Sequence, residues 1–266
     1  MFNPIRTQTD HIDWRGIDQG GFAILPEDGP PQQIVVFLHG LHGKGADFAW
    51  LAQIWRPFLP AAAFLFPNAI CRSEEAPGGH YWWKMSFRER LLRRDADGAA
   101  PLLEAFLNRQ LDRFVLPPRA MILGGFSQGA MLALHVGARR ADRLAGILSY
   151  SGMLARFSRF HRGNRSRTPV FLSHGTSDDV VSFAALGSAA RILRKRRSDV
   201  IEHGWIGGRH TIDPAGARLG GRLMRNGCLG KAGDQPVQDV VASPPTIRLT
   251  IPSLPERRIS AMMHWR

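Results

Sequence analysis

The sequence predicts an α/β layered fold, and two observations carry that reading. Short apolar runs alternate with amphipathic stretches of helical length along most of the chain. From Ile34 to Leu38 the run is continuously apolar rather than alternating, as in a strand covered on both faces.

The elements follow in order. Residues 33–40 (QIVVFLHG) read as one strand and 62–69 (AAFLFPNA) as the next. Over 101–115, Leu103, Phe106, Leu107 and Leu111 fall near one face of a helix. Residues 120–127 (AMILGGFS) form a strand, and 128–141 a helix with so few polar positions that it must be buried. Further strands lie at 144–152, 169–175 and 200–207, with helices at about 182–197 and 213–226. Beyond residue 228 prolines are scattered and no period persists. A single domain over 1–228, followed by a weakly ordered tail over 229–266, is therefore expected.

A chain of 266 residues with 44% hydrophobic composition can bury one substantial core. No apolar run approaches the ~20 residues that span a bilayer, and the first residues lack the apolar stretch of a secretory signal. Two cysteines, Cys71 and Cys228, make neither a metal motif nor a disulfide framework. A cytoplasmic protein is the expectation. The net charge of +13 concentrates in two clusters, Arg156, Arg159, Arg162, Arg165 and Arg167, and Arg191, Arg194, Lys195, Arg196 and Arg197. Without an accompanying nucleic-acid motif these read as solvated surface, so no specific nucleic-acid partner is expected. They leave room for transient contact with an anionic membrane surface.

The chemistry starts at Gly125-Phe126-Ser127-Gln128-Gly129, a G-x-S-x-G sequence between a predicted strand and a predicted helix. A hydroxyl is a poor nucleophile unless a base and an orienting acid accompany it. On a strained strand–helix corner, small neighbours let the backbone close up around the serine, and helix amides point toward developing negative charge. His210 follows a glycine-rich loop beyond the last strand, where it can reach over the sheet edge as the base. His135 lies inside a helix and His203 inside a strand, both positions suited to packing. The acid should lie between serine and base, and Asp178 and Asp179 both follow a strand; spacing alone does not choose between them. The loop FLHGLHGKGADF (37–48) follows a buried strand, and its glycines permit close backbone approach to a ligand. It nominates the Leu41 amide, with that of Gln128, as the oxyanion donors.

Together, LHGLHGKGADF, GGFSQGAML, SYSGML, SHGTSDDVV and GGRHTIDPAG resemble, in order, the phospholipase/carboxylesterase family of α/β-hydrolases, which includes acyl-protein thioesterases. The resemblance covers roughly residues 14–228. It implies an α/β-hydrolase fold, with a mostly parallel central sheet and helices on both faces. It places Ser127 on the nucleophile, His210 on the base and Asp178 on the acid, with Leu41 and Gln128 at the oxyanion positions. It implies hydrolysis of carboxylic esters of short to medium acyl chains, with lysophospholipids or protein thioesters as alternative substrates. No cofactor or metal is implied, and a homodimer is compatible with it. Trp82, Trp83, Met153 and Leu154 match segments bordering the acyl groove. His42 departs from the pattern, standing where the family usually has a glycine or small residue; beside the oxyanion site it could narrow the pocket, donate a hydrogen bond or face solvent. A rival of another class is a hydrolase-like binding protein that recruits anionic partners through its basic clusters.

Overall fold

A computed structural model describes residues 20–85, 89–154 and 167–225. The expected tail over 229–266 and Arg156, Arg159, Arg162 and Arg165 lie outside those residues.

Among the described residues nine strands are present: β1 (Gly21–Ile24), β2 (Gln33–Leu38), β3 (Ala62–Pro67), β4 (Cys71–Arg72), β5 (His80–Tyr81), β6 (Met121–Phe126), β7 (Gly146–Tyr150), β8 (Val170–Gly175) and β9 (Val200–Trp205). Seven of them form the main sheet, in the order β1-β3-β2-β6-β7-β8-β9. Every pairing in it is parallel except β1 with β3, which is antiparallel. β4 and β5 form a separate two-stranded ribbon. The helices are α1 (Trp50–Trp55), α2 (Glu89–Phe114), α3 (Gln128–Gly137), α4 (Ala184–Arg194) and α5 (Pro214–Arg225).

Strand alternation sends successive side chains to opposite faces, which sorts the core into layers. Ile34, Val36 and Leu38 of β2 pack in one cluster with Leu103, Phe106 and Leu107 of α2 and Leu132 and Val136 of α3. Val35 and Phe37 pack in another with Leu51 and Trp55 of α1 and Ala217 and Met224 of α5. Helices therefore cover both faces. All ten residues of α3 are buried, as its nearly unbroken apolar character requires. No helix among the described residues is long and apolar enough to cross a membrane.

Four features depart from the sequence reading. The short edge strand β1, the β4–β5 ribbon and the six-residue α1 have no counterpart in it. α2 begins at Glu89 rather than at Pro101, so the proline lies inside the helix. Proline is favoured in a helix's first turn and costly in its interior, so its position here runs against local preference. Tertiary packing carries the helix through it: Ala96 and Ala99, upstream of the proline, are already buried in the α2–α3 cluster.

The glycines around Ser127 set how closely layers approach. A Cβ on Gly125 would lie 2.4 Å from the Gly129 carbonyl carbon, and one on Gly129 would lie 2.3 Å from Leu38 O and 2.5 Å from His39 O. Gly129→Ala should thus lower unfolding free energy by about 1–3 kcal/mol, the usual cost of overpacking. Gly187→Ala in α4, where a Cβ would meet nothing within 4 Å, should be neutral or stabilising by up to ~1 kcal/mol. Urea unfolding curves check the contrast; equal midpoints for the two variants would contradict this packing.

Candidate active site

Parallel strands deliver their C-terminal ends to one edge of the sheet, and the site forms there. Ser127 stands between β6 and α3 with φ 52° and ψ −117°, a left-handed conformation that L residues rarely adopt. Its amide donates to Tyr150 O at 2.9 Å and its carbonyl accepts from Met131 N at 3.0 Å, so the corner is fixed from both sides.

Asp178 follows β8 and His210 follows β9. Two backbone hydrogen bonds join their loops, from Thr176 N to Trp205 O (2.9 Å) and from Ser177 N to Gly208 O (2.8 Å). The His210 imidazole bridges the cluster. Its Nδ1 lies 2.8 Å from Asp178 Oδ2 and 3.0 Å from Oδ1, and its Nε2 lies 2.9 Å from Ser127 Oγ. The Phe126 ring lies 4.8 Å, centroid to centroid, from the imidazole.

The Asp178 side chain is wholly shielded from solvent. Burial alone would push its carboxyl up; hydrogen bonds from His174 and His210, the His210 charge and the Val181 amide outweigh it and hold the group well below the usual carboxylate range. Oδ1 also accepts from Val180 N at 2.9 Å and Val181 N at 2.8 Å. Asp179, the alternative left open by spacing, instead pairs with Arg209 at the surface. His174 was not singled out by the sequence. Its Nε2 lies 2.8 Å from Val181 O and 3.2 Å from Asp178 Oδ2, making it a second brace on the acid.

The loop after β2 passes beside Ser127: a Cβ on Gly40 would lie 3.2 Å from the Phe126 ring and 3.4 Å from Ser127 Cβ. Leu41 is the next residue. His39 anchors this loop from beneath, with Nδ1 2.6 Å from Gly40 O and Nε2 accepting from Ala69 N at 3.0 Å. Burial, reinforced by nearby His80 and only partly offset by the bond to Gly40, pushes its pKa down to about 4, so the ring is neutral, as its accepting Nε2 requires.

Gln128 does more than the sequence indicated. Beyond its amide at the first position of α3, its buried side chain accepts from Trp82 N at 3.0 Å and donates to Trp83 O at 2.8 Å. Trp82 Nε1 donates to His39 O at 2.9 Å. Trp82 and Trp83 are buried in the cluster that contains Val181, and Met153 packs against it. Leu154 lies in a different cluster, with Leu134, Leu172 and Leu186. His42 turns toward the β4–β5 segment, with Nδ1 2.7 Å from Ser73 Oγ and Nε2 3.4 Å from Glu75 Oε2. His203 pairs with buried Asp213 at 3.3 Å, and His135 with Asp97 at 2.9 Å. Among the described residues no group of three or more His, Cys, Asp or Glu side chains is placed to hold a metal ion.

Comparison with known proteins agrees with this architecture. The sequence profile of the phospholipase/carboxylesterase family matches residues 19–217. Acyl-protein thioesterase 1 of Saccharomyces cerevisiae is 32% identical over 179 residues, covering 60% of this chain and 77% of its own. Its Schizosaccharomyces pombe namesake is 28% identical over 188 residues, covering 67% and 83%. Among solved structures, esterase PE8 superposes with a TM-score of 0.73 at 32% identity, covering 77% of this chain and 97% of its own. The Bacillus cereus carboxylesterase shares the fold, with a TM-score of 0.64 at 18% identity over 77% and 92% of the two chains. With Ser127 on its corner and a family match that spans most of the sheet, the chain belongs to the phospholipase/carboxylesterase family of α/β-hydrolases and is a hydrolase.

Proposed function

We propose that the chain is a serine carboxylesterase working through Ser127, His210 and Asp178. The observation that carries this is the imidazole of His210, within hydrogen-bond reach of a serine oxygen on one side and a shielded carboxylate on the other.

In the proposed cycle Ser127 Oγ attacks the ester carbonyl carbon while His210 Nε2 takes its proton. Asp178 accepts from Nδ1–H, which fixes the tautomer and stabilises the imidazolium. The tetrahedral oxyanion receives hydrogen bonds from the main-chain amides of Leu41 and Gln128; the latter has no partner inside its helix because it opens α3. The C–O bond to the leaving group breaks, and His210 returns the proton to the departing alcohol. Water then attacks the acyl carbon while His210 Nε2 takes its proton; the C–O bond to Ser127 breaks, His210 returns the proton to Ser127 Oγ, and the carboxylic acid leaves.

The substrate proposed is an ester of short to medium acyl chain, with Trp82, Trp83 and Met153 as walls of the acyl groove. The same chemistry cleaves a thioester, and two relatives named acyl-protein thioesterase 1 favour that as the second reading. Nothing in the proposed cycle calls for a cofactor.

The two neighbouring aspartates give a sharp test. Asp178→Asn should lower kcat by about 10⁴-fold, as loss of the orienting acid does in serine proteases. Asp179→Asn breaks only the exposed pair with Arg209 and should stay within about twofold, since such pairs contribute little. Assaying both on an oxygen ester and a thioester of the same acyl chain also separates the two substrate readings; equal losses for the two variants would remove Asp178 from its role.

A pH profile provides a second test. A protonated imidazole cannot accept the serine proton, so kcat/KM should fall as pH is lowered through the mildly acidic range. Because Asp178 is held ionised far below that range, the acid limb should reflect one proton. A flat profile, or a two-proton limb, would contradict this.

A further inference from the structure

We infer that His42 is a positioning residue: clasped to Ser73 and facing Glu75, it holds the turn that presents the Leu41 amide and so fixes one half of the oxyanion hole. The inference rests on the esterase reading above and names the device that pre-organises its site.

His42 is third in a four-residue turn, Gly40 to Gly43, closed by Gly43 N–H donating to Gly40 O at 3.2 Å. Its φ is 61°. A left-handed third position ordinarily calls for glycine or asparagine, because a Cβ there crowds the backbone. An unassisted L side chain would draw the turn toward negative φ and let the Gly40–Leu41–His42 amides re-aim. Since Gly40 packs against Phe126 and Ser127, such a change would occur within the site itself.

The imidazole supplies what a glycine would not need. Ser73 Oγ accepts from Ala76 N at 3.0 Å, which leaves its hydroxyl proton to donate to His42 Nδ1 at 2.7 Å. That assignment puts the ring proton on Nε2, which faces Glu75 Oε2 at 3.4 Å. Both ring nitrogens therefore face the β4–β5 segment, and the side chain acts as a clasp rather than as an oxyanion donor.

The clasp lands on a segment that also governs the other half of the hole. His80 N–H donates to Gly43 O at 2.8 Å, beside the turn. Gly79 admits the His42 carbonyl, which would lie 2.3 Å from a Cβ there. β5 then runs into Trp82 and Trp83, whose main-chain N–H and C=O are held by the Gln128 side chain. The turn bearing Leu41 and the residue supplying the second amide are thus both tied to one ribbon, which keeps the two donors in register.

The experiment compares His42→Ala, His42→Gly and Ser73→Ala with the wild type on p-nitrophenyl butyrate. Rates are expressed per active site titrated with a fluorophosphonate, and thermal midpoints are measured alongside. His42→Ala keeps the strained position without the clasp and should lose about tenfold in kcat, short of the ~10²–10³ that follows complete loss of a donor. His42→Gly removes the strain together with the clasp and should lose less, about threefold, with a thermal midpoint no lower than that of the alanine variant. Ser73→Ala should lower kcat with KM within about twofold, since substrate binding is not the function at stake. Equal kcat for the alanine and glycine variants, a rise in KM in place of a fall in kcat, or wild-type rates for all three would each overturn the inference. In those cases the wild type still titrates fully. A wild type that hydrolyses the ester without titrating would instead overturn the serine mechanism underneath, and the clasp's role with it.

Discussion

The site depends on how closely the N-terminus of α3 can approach the ends of β2 and β6. Gly129 lies where any side chain would overlap the carbonyls of Leu38 and His39, and Gly125 lies where one would overlap the first turn of α3. With both positions bare, the corner between β6 and α3 tightens until Ser127 is forced to φ 52°. That strain is borne by a helix buried on every side and by hydrogen bonds on both flanks of the serine. The same approach brings the loop after β2 next to the serine, so the proposed nucleophile and oxyanion donors share one packing constraint.

Reactivity then becomes a matter of aligning dipoles and protons. Parallel topology brings the ends of β6, β8 and β9 to a common edge, and hydrogen bonds between the β8 and β9 loops set the distance from carboxylate to imidazole. The carboxylate is shielded yet held ionised by several donors, so it can orient an imidazole without competing for its proton. His174 adds a brace from below. On the other side, neutral His39 and the Gln128 side chain stiffen the loops that bear the amides. In the proposed cycle, donors preorganised in this way need no rearrangement at the moment charge develops.

What the sequence disclosed follows from the range of the interactions involved. Strands β2 and β3 were legible because each is an almost unbroken apolar run, and burial on both faces leaves that signature locally. Ser127 was nominated by its flanking glycines and His210 by the glycine-rich loop before it, and the structure places the two side chains 2.9 Å apart. The choice of Asp178 over Asp179 came from family resemblance, because adjacent residues on one loop differ only in which way they point. β1 is too short, and α1 too brief, to show a period. The first turns of α2 were hidden by Gly98 and Pro101, whose local preference tertiary packing overrides. The contacts of His174, the Gln128 side chain and His42 were illegible for a different reason. Their roles lie in partners as far as 46 residues away, or in a positive φ, and composition records neither.

The central claim is that Ser127 is the atom made reactive by this convergence. Reaction with a fluorophosphonate, followed by peptide mass mapping, tests it most directly. The account requires a single adduct, on the peptide containing Ser127, with esterase activity lost in proportion to labelling. Full inactivation with the adduct on another residue, or full labelling of Ser127 with activity retained, would contradict it.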